Sequence, residues 1–362
     1  MSELVRAALA AVVEGRTLGF DEARRAIGAV MDGEATPAQL AGLLVALRMR
    51  GETVEELAGF AAAMRERALR VEAPPGTIDV VGTGGDGSRT FNISTAAALV
   101  VAAAGVPVAK HGNRAITSAA GSADVLDALG VRIDHDPASA ATAIRSLGFA
   151  FLFAPGFHPA MRHAMPTRRE LGLRTAFNLL GPLTNPAGVG RLVVGAGDPT
   201  AAPKLAEVLR FLGAERAFVV HGDGVDELPL DGSGVLYAVG ADGIERSTVD
   251  PTRFGLRSAP TAALAGGSPA ENAALVEAVL RGVDGVRRDV VLLNAAVAFV
   301  VAGRAEDIAA GLDLARATID GGRAAALLDR LREERRQAEE ERRRAEEERA
   351  AAESPTAAES RP

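Results

Sequence analysis

Cysteine is absent from the 362 residues, which excludes a disulfide framework, thiolate metal sites and a cysteine nucleophile together. Tryptophan is also absent and tyrosine occurs once, so intrinsic fluorescence is small. No apolar run is long enough to span a bilayer; the longest, Ala96 to Ala109, is interrupted by Gly105 and Pro107. The amino terminus, Met1-Ser2-Glu3-Leu4, lacks a basic stretch followed by an apolar one, so no secretory signal is visible. Positive charge is in deficit, with 40 Lys and Arg against 47 Asp and Glu, a net charge of −7. That balance disfavours a general nucleic-acid binder and leaves a local basic cleft open. A soluble cytoplasmic protein is expected.

What is present fits a large core. Hydrophobic residues make up 48% and glycine is abundant at 40, enough for one large and one small domain or for two of middle size. The first seventy residues read as helical. Thr36-Pro37-Ala38-Gln39 is a capping box with proline at the first helical position. Leu40, Leu43, Leu44 and Leu47 follow at helical spacing, and Gly51 stands where that helix would stop. Thr53-Val54-Glu55-Glu56 opens another helix, and Asp21 is a candidate cap for Glu22 to Met31. After Ala73-Pro74-Pro75-Gly76 the period changes. Ile78 to Val81, Val106 to Ala109, Ala150 to Phe153, Leu192 to Val194 and Ala217 to Val220 are short apolar runs, mostly separated by helical stretches. This is the alternation of a largely parallel sheet. Val290 to Val301, apolar apart from Asn294, reads as a buried helix. From Arg332 to Arg349 nearly every residue is charged and no apolar seam exists, so the tail is either a solvated helix or disordered, with too little apolar surface to dock.

Three segments past strand ends suit phosphate. Gly82-Thr83-Gly84-Gly85-Asp86-Gly87 follows a strand directly, and such glycines present N–H groups to an anion. The spacing matches a dinucleotide fingerprint, but Asp86 puts negative charge at the pyrophosphate position, and the next strand ends in Lys110 rather than a ribose-binding carboxylate. Thr90-Phe91-Asn92-Ile93-Ser94-Thr95 opens an alanine-rich helix from about Thr95; Ser94 and Thr95 either cap it or join an anion site at its start. Lys110-His111-Gly112-Asn113-Arg114 offers an ammonium, an imidazole, an amide and a guanidinium, extended by Thr117, Ser118, Gly121 and Ser122. Asp226 and Glu227, again past a strand, suit magnesium bridged to phosphate oxygens.

In this order the segments resemble the anthranilate phosphoribosyltransferases. Arg162-His163-Ala164-Met165-Pro166, Phe177 to Pro186 and the helical start Gly33 to Gln39 add to the resemblance, which covers roughly residues 1 to 330. It implies an α/β fold: a helical dimerisation domain over 1–72 and a larger α/β domain with a mostly parallel sheet over 73–330. The segment near 160–190 would pack with the helices, and a charged tail over 331–362 has no counterpart. It also implies a homodimer, with no nucleic-acid or membrane partner, and transfer of the phosphoribosyl group of 5-phosphoribosyl 1-diphosphate to anthranilate with two magnesium ions per subunit.

Residue by residue, the resemblance assigns the phosphoribosyl diphosphate to Gly82, Gly85, Asp86, Thr90, Asn92, Ile93, Ser94, Thr95, Lys110, His111, Gly112, Asn113, Arg114, Ala115, Ile116, Thr117, Ser118 and Ser122. Anthranilate goes to Gly82, Asn113 and Arg168, with Ala154 and His158 on its entry path, and the metals go to Ser94, Asp226 and Glu227. Lys110 is expected to act electrostatically and His111 through a hydrogen bond. The chain departs from the family at Met161, where some members place an aromatic residue, and at Ala119 and Ala120, where polar residues are common. A pyrimidine nucleoside phosphorylase would need different Lys- and Ser-rich signatures from Lys110 to Arg114, and a nucleic-acid-binding relative would need a basic face.

Overall fold

The computed structural model describes residues 1–84, 87–115, 120–222 and 224–353. Four helices lead: α1 (Glu3–Val13), α2 (Phe20–Met31), α3 (Pro37–Arg50) and α4 (Val54–Glu66). Thr36 and Gln39 close their capping box reciprocally at 3.2 and 3.1 Å, and Thr53 with Glu56 does the same for α4. Asp21 is not the cap of α2. The helix begins at Phe20, after Gly19, and Glu22 reaches back to the Gly19 N–H at 3.1 Å. Glu56 is fully buried because it also accepts from Leu18 N and pairs with Arg50.

The sheet and its helices follow in the order β1 (Ile78–Gly82), α5 (Ile93–Ala103), β2 (Val108–Gly112), α6 (Ser122–Ala128), α7 (Pro137–Leu147), β3 (Phe149–Phe153) and α8 (Ala154–Phe157). Then come α9 (Met165–Leu171), α10 (Phe177–Leu180), β4 (Arg191–Gly195), α11 (Ala201–Phe211), β5 (Arg216–His221), β6 (Gly234–Gly240) and β7 (Gly243–Val249). Four helices close the chain: α12 (Pro269–Leu280), α13 (Val286–Val301), α14 (Ile308–Asp320) and α15 (Arg323–Glu353). The strands lie in the order β3-β2-β1-β4-β5-β6-β7. The first five are parallel and β6 and β7 antiparallel, so the sheet is mostly parallel. From β1 the chain crosses to β2 on one side and later to β4 on the other. That reversal opens a crevice at the carboxyl end of β1, where such sheets bind ligands.

Strand residues alternate between two cores. Val80, Val193, Phe218 and Val220 pack with α5, α12, α13 and α15. Val81, Leu192, Val194, Ala217 and Val219 pack with α11 and with the leading helices. The stretch 157–183 bridges the two parts: Leu69 N donates to Phe157 O at 2.8 Å, and Arg65 Nε donates to Leu183 O at 2.6 Å.

Three further expectations shift. β2 runs to Gly112, with Lys110, His111 and Gly112 paired to Phe151, Leu152 and Phe153, because the ladder continues beyond the apolar run. The alanine-rich helix starts at Ile93 after Asn92, so Ser94 and Thr95 lie in its first turn and do not cap it. The tail is one helix with the residues before it, from Arg323 to Glu353, and its first part docks. Guanidinium groups do what apolar surface does not: Arg332 donates to Leu129 O and to both Glu277 oxygens at 2.7, 3.0 and 2.7 Å. Arg335 reaches the Asp127 carbonyl and carboxylate at 3.0 and 2.9 Å, and Glu334 pairs with Arg132 at 3.0 Å. Arg332 above all holds the Glu277 carboxyl down at about 2.

Candidate active site

An acidic corner stands where β1, β4 and β5 end. Asp226 occupies space left by two glycines: a Cβ on Gly82 would lie 2.1 Å from its Oδ2, and one on Gly195 would lie 1.6 Å from its carbonyl oxygen. Gly84 N donates to Asp226 Oδ2 at 2.8 Å. Glu227, next to it, is buried. Beneath them Lys110 is 2% exposed and its ammonium donates to Val80 O at 2.5 Å. Burial lowers its pKa, and the charges of Asp79, Glu227 and Asp226 oppose that shift. Asp79 is wholly buried and accepts from Asn185 Nδ2 at 2.7 Å and from His111 N at 3.3 Å. Burial pushes its carboxyl up to about 6 against the pull of Lys110. Lys110 is therefore a buried strand residue under the corner.

The basic segment after β2 curls onto α6. Asp124 accepts from Ala115 N at 2.9 Å, from Gly121 N at 3.0 Å and from Arg114 Nη1 at 2.8 Å. These bonds hold its pKa below the usual carboxylate range although burial acts the other way. Arg114 also meets Asp127 at 3.3 Å. Asn113 O receives Ala123 N at 3.2 Å and the Ser122 hydroxyl at 3.4 Å. The turn closes only around a glycine, since a Cβ on Gly121 would sit 2.4 Å from Ala115 N. Asn92, before α5, joins this wall by donating to Ala120 O at 3.4 Å. In the first turn of α5, Ile93 and Thr95 are buried and Ser94 is half-buried. Thr90 lies at the strand-like bridge to Ala265.

A third group faces the leading helices. The rings of His111 and His158 are 5.1 Å apart. His111 Nδ1 lies 3.1 Å from Gly181 O, which places its proton on Nδ1. The Nε2 atoms of both rings are buried and have no partner among the described residues. Burial depresses both imidazoles, to about 3 for His111 and about 4 for His158, so both are neutral near pH 7. Arg168, on α9, lies over the Phe177 ring at 5.0 Å, and no carboxylate pairs with it among the described residues. No hydrogen bond joins it to Gly82 or Asn113 among those residues. Ala154 opens α8, directly after β3.

Gly85, Asp86, Ile116, Thr117, Ser118 and Ala119 lie outside the described residues. Among those described, no three acidic or histidine side chains gather as a metal cluster. Sequence reasoning passes over Asp79, an acid hidden in an apolar strand, and Arg174, whose guanidinium reaches Gly84 O at 3.3 Å. An acid inside Ile78-Asp79-Val80-Val81 is a readable signal; Arg174 carries none.

A helical bundle joined to a mostly parallel sheet, with glycine-rich and basic loops at its switch point, defines a class of glycosyl transferases. A family described as "Glycosyl transferase family, helical bundle domain" matches residues 6–68, and one described as "Glycosyl transferase family, a/b domain" matches residues 74–325. The chain is 54% identical over 336 residues to the anthranilate phosphoribosyltransferase of Thermomicrobium roseum, covering 91% of this chain and 96% of that one. The crystal structure of the Thermus thermophilus enzyme superimposes with a TM-score of 0.86 at 48% identity, over 91% of this chain and 99% of that one. The Saccharomyces cerevisiae enzyme in complex with PRPP and Mg gives 0.84 at 27% identity, over 93% and 99%. The chain belongs to the anthranilate phosphoribosyltransferase family. It transfers the phosphoribosyl group of 5-phosphoribosyl 1-diphosphate to anthranilate, giving N-(5-phosphoribosyl)anthranilate and diphosphate in tryptophan biosynthesis.

Proposed function

We propose that the crevice at the end of β1 holds the phosphoribosyl diphosphate between the acidic corner and the basic wall. The observation that carries this is Asp226 seated against Cβ-free Gly82 and Gly195, an oxygen donor fixed at the switch point. The set assigned to the diphosphate begins with Gly82, Gly85, Asp86, Thr90, Asn92, Ile93, Ser94 and Thr95. Lys110, His111, Gly112, Asn113, Arg114, Ala115, Ile116, Thr117, Ser118 and Ser122 complete it, and of the whole set Gly85, Asp86, Ile116, Thr117 and Ser118 lie outside the described residues. The carboxylates of Asp226 and Glu227 with the Ser94 hydroxyl fit a hard cation that keeps some water and shares phosphate oxygens. They would hold two magnesium ions, one through Ser94 and Glu227 and the other through Asp226 and Glu227. Bound there, magnesium supplies charge neutralisation to the diphosphate.

Anthranilate lies on the histidine side. Arg168, without an acidic partner among the described residues, suits its carboxylate, and Gly82 and Asn113 line its other side, with Ala154 on the way in. The Nε2 lone pair of neutral His111 accepts from the amine N–H. An imidazole depressed to about 3 is a weak base, so His111 orients the amine and does not activate it. The amine nitrogen attacks C1 as the C1–diphosphate bond breaks, the acidic anilinium so formed loses its proton to water, and positioning of the two substrates supplies much of the rate. Lys110 stabilises the acidic corner from below. The leading helices are a dimerisation surface, supported by exposed Leu4, Val13 and Met49, and a cytoplasmic homodimer is the expected form. No helix among the described residues is long and apolar enough to cross a membrane.

The test follows anthranilate fluorescence after adding phosphoribosyl diphosphate and magnesium. Loss that requires all three components supports the reading. No loss with folded protein overturns it.

A further inference from the structure

Two buried asparagines lie outside every role assigned so far. Asn294, on α13, is 4% exposed amid valine, leucine and alanine. It accepts from Leu228 N at 3.0 Å and donates to Leu228 O at 2.9 Å and to Val290 O at 2.9 Å. Leu228 directly follows Glu227. Asn272, on the neighbouring α12, is 2% exposed; it donates to Asn92 Oδ1 at 3.0 Å and accepts from Gly267 N at 2.7 Å. Asn92 in turn donates to Ala120 O and stands two residues before Ser94. A Cβ on Gly266 would lie 2.3 Å from Asn272 Oδ1, so the neighbouring turn is shaped around that amide.

We infer that Asn294 and Asn272 are positioning residues for the two walls of the magnesium–diphosphate site, Asn294 for the Asp226–Glu227 loop and Asn272 for the Asn92–Ser94 helix start. An amide in an apolar layer is favourable only when its hydrogen bonds are made, and here two of the three made by Asn294 and one of the two made by Asn272 reach segments that carry site residues. Asn294 grips both the N–H and the C=O of one peptide residue, which fixes rotation as well as position of the chain leaving Glu227. A leucine of similar volume would fill the same space but leave the peptide of Leu228 unpaired there, with Gly84 N to Asp226 as a hold that remains on the site side. The inference rests on the assignment of Asp226, Glu227 and Ser94 to the cation.

The experiment compares Asn294→Leu, Asn294→Asp, Asn272→Leu and Asp226→Asn with Val297→Ala, a buried control on α13. Three readouts are taken on the full chain: the magnesium concentration for half-maximal rate, Mn2+ binding with phosphoribosyl diphosphate by electron paramagnetic resonance, and the melting temperature. Asn294→Leu is expected to raise the magnesium requirement and weaken Mn2+ binding about tenfold or more, in the range that lost orientation of metal ligands costs. Asn294→Asp should fall between, because its carboxyl, neutral in that apolar layer, keeps the acceptor and one donor. Asn272→Leu should chiefly raise the KM for phosphoribosyl diphosphate. Val297→Ala should lower the melting temperature alone. Asn294 and Asn272 variants with the control's metal and substrate dependence overturn the inference, provided Asp226→Asn has lost metal binding. An unaltered Asp226→Asn overturns the underlying assignment instead. If Asn294→Leu does not fold, Asn294→Asp and Asn272→Leu still decide.

Discussion

The acidic corner after β5 and the basic wall after β2 both stand at strand ends, yet they are held by different forces. Asp226 is enclosed by Gly82 and Gly195, and the loop leaving Glu227 is gripped from the core by Asn294. Arg114 is exposed and leans on Asp124 and Asp127, themselves partly in solvent. Buried hydrogen-bonded contacts are worth about 1–3 kcal/mol each when one partner is left behind, whereas exposed ion pairs contribute about 0.2–1 kcal/mol and weaken with salt. The corner is thus held mainly by buried contacts, while the Arg114 pairs of the wall are exposed and cheap to exchange.

Breaking the corner should have the largest effect. Gly195→Ala places a Cβ against backbone that cannot yield, so kcat/KM should fall roughly 100-fold or more, measured alongside circular dichroism to confirm the fold. Asp226→Asn with Glu227→Gln should cut magnesium-dependent turnover on the order of 100-fold, with the fold intact by circular dichroism; full activity would remove the metal assignment. Acidification comes next. His111, His135 and His158 are buried and depressed to about 3, 4 and 4, so their stabilisation is complete above the unfolded value near 6.5. It is lost as pH falls from there towards those folded values. At pH 5 each should cost on the order of 1–2 kcal/mol. Asp79, raised to about 6, has the opposite sign: its stabilisation is present below the ordinary carboxylate value and lost as pH rises through 6. A melting temperature that stays level between pH 7 and 5 would contradict the neutral histidines.

The wall should answer more gently. Asp124→Ala removes three hydrogen bonds from the turn and should raise the KM for phosphoribosyl diphosphate by roughly tenfold, with the rise shrinking in high salt. The smallest effect belongs to Arg335→Ala, which frees Asp127 to pair with Arg114 alone. About 0.2–1 kcal/mol of stability should be lost, with kcat unchanged in the steady-state assay.

Legibility in the sequence follows the same divide. Capping boxes at Thr36 and Thr53, the parallel strands and the buried α13 can be read because each is announced by local pattern. The hairpin β6–β7 cannot, since β7 alternates little and most of its residues are exposed. Of the site, the residues assigned to ligand sit in recognisable motifs, but their supports do not. Asp79 and Asn272 gain their meaning only from partners 106 and 180 positions away. Docking of the tail escapes a sequence reading for a related reason: its attachments are arginines meeting acids on α6 and α12, a pairing that composition does not reveal.

The far part of α15 alters how the molecule moves through water. Arg342 still pairs with Asp134, and from Arg343 to Ala350 every residue is exposed, so roughly 12 Å of helix stands clear of the body at about 1.5 Å per residue. A projecting rod adds friction without much mass. The particle therefore sediments and diffuses more slowly than a sphere of equal weight, and a gel-filtration volume overstates its size. Light scattering, which weighs the particle whatever its outline, is the measurement by which monomer and dimer should be told apart.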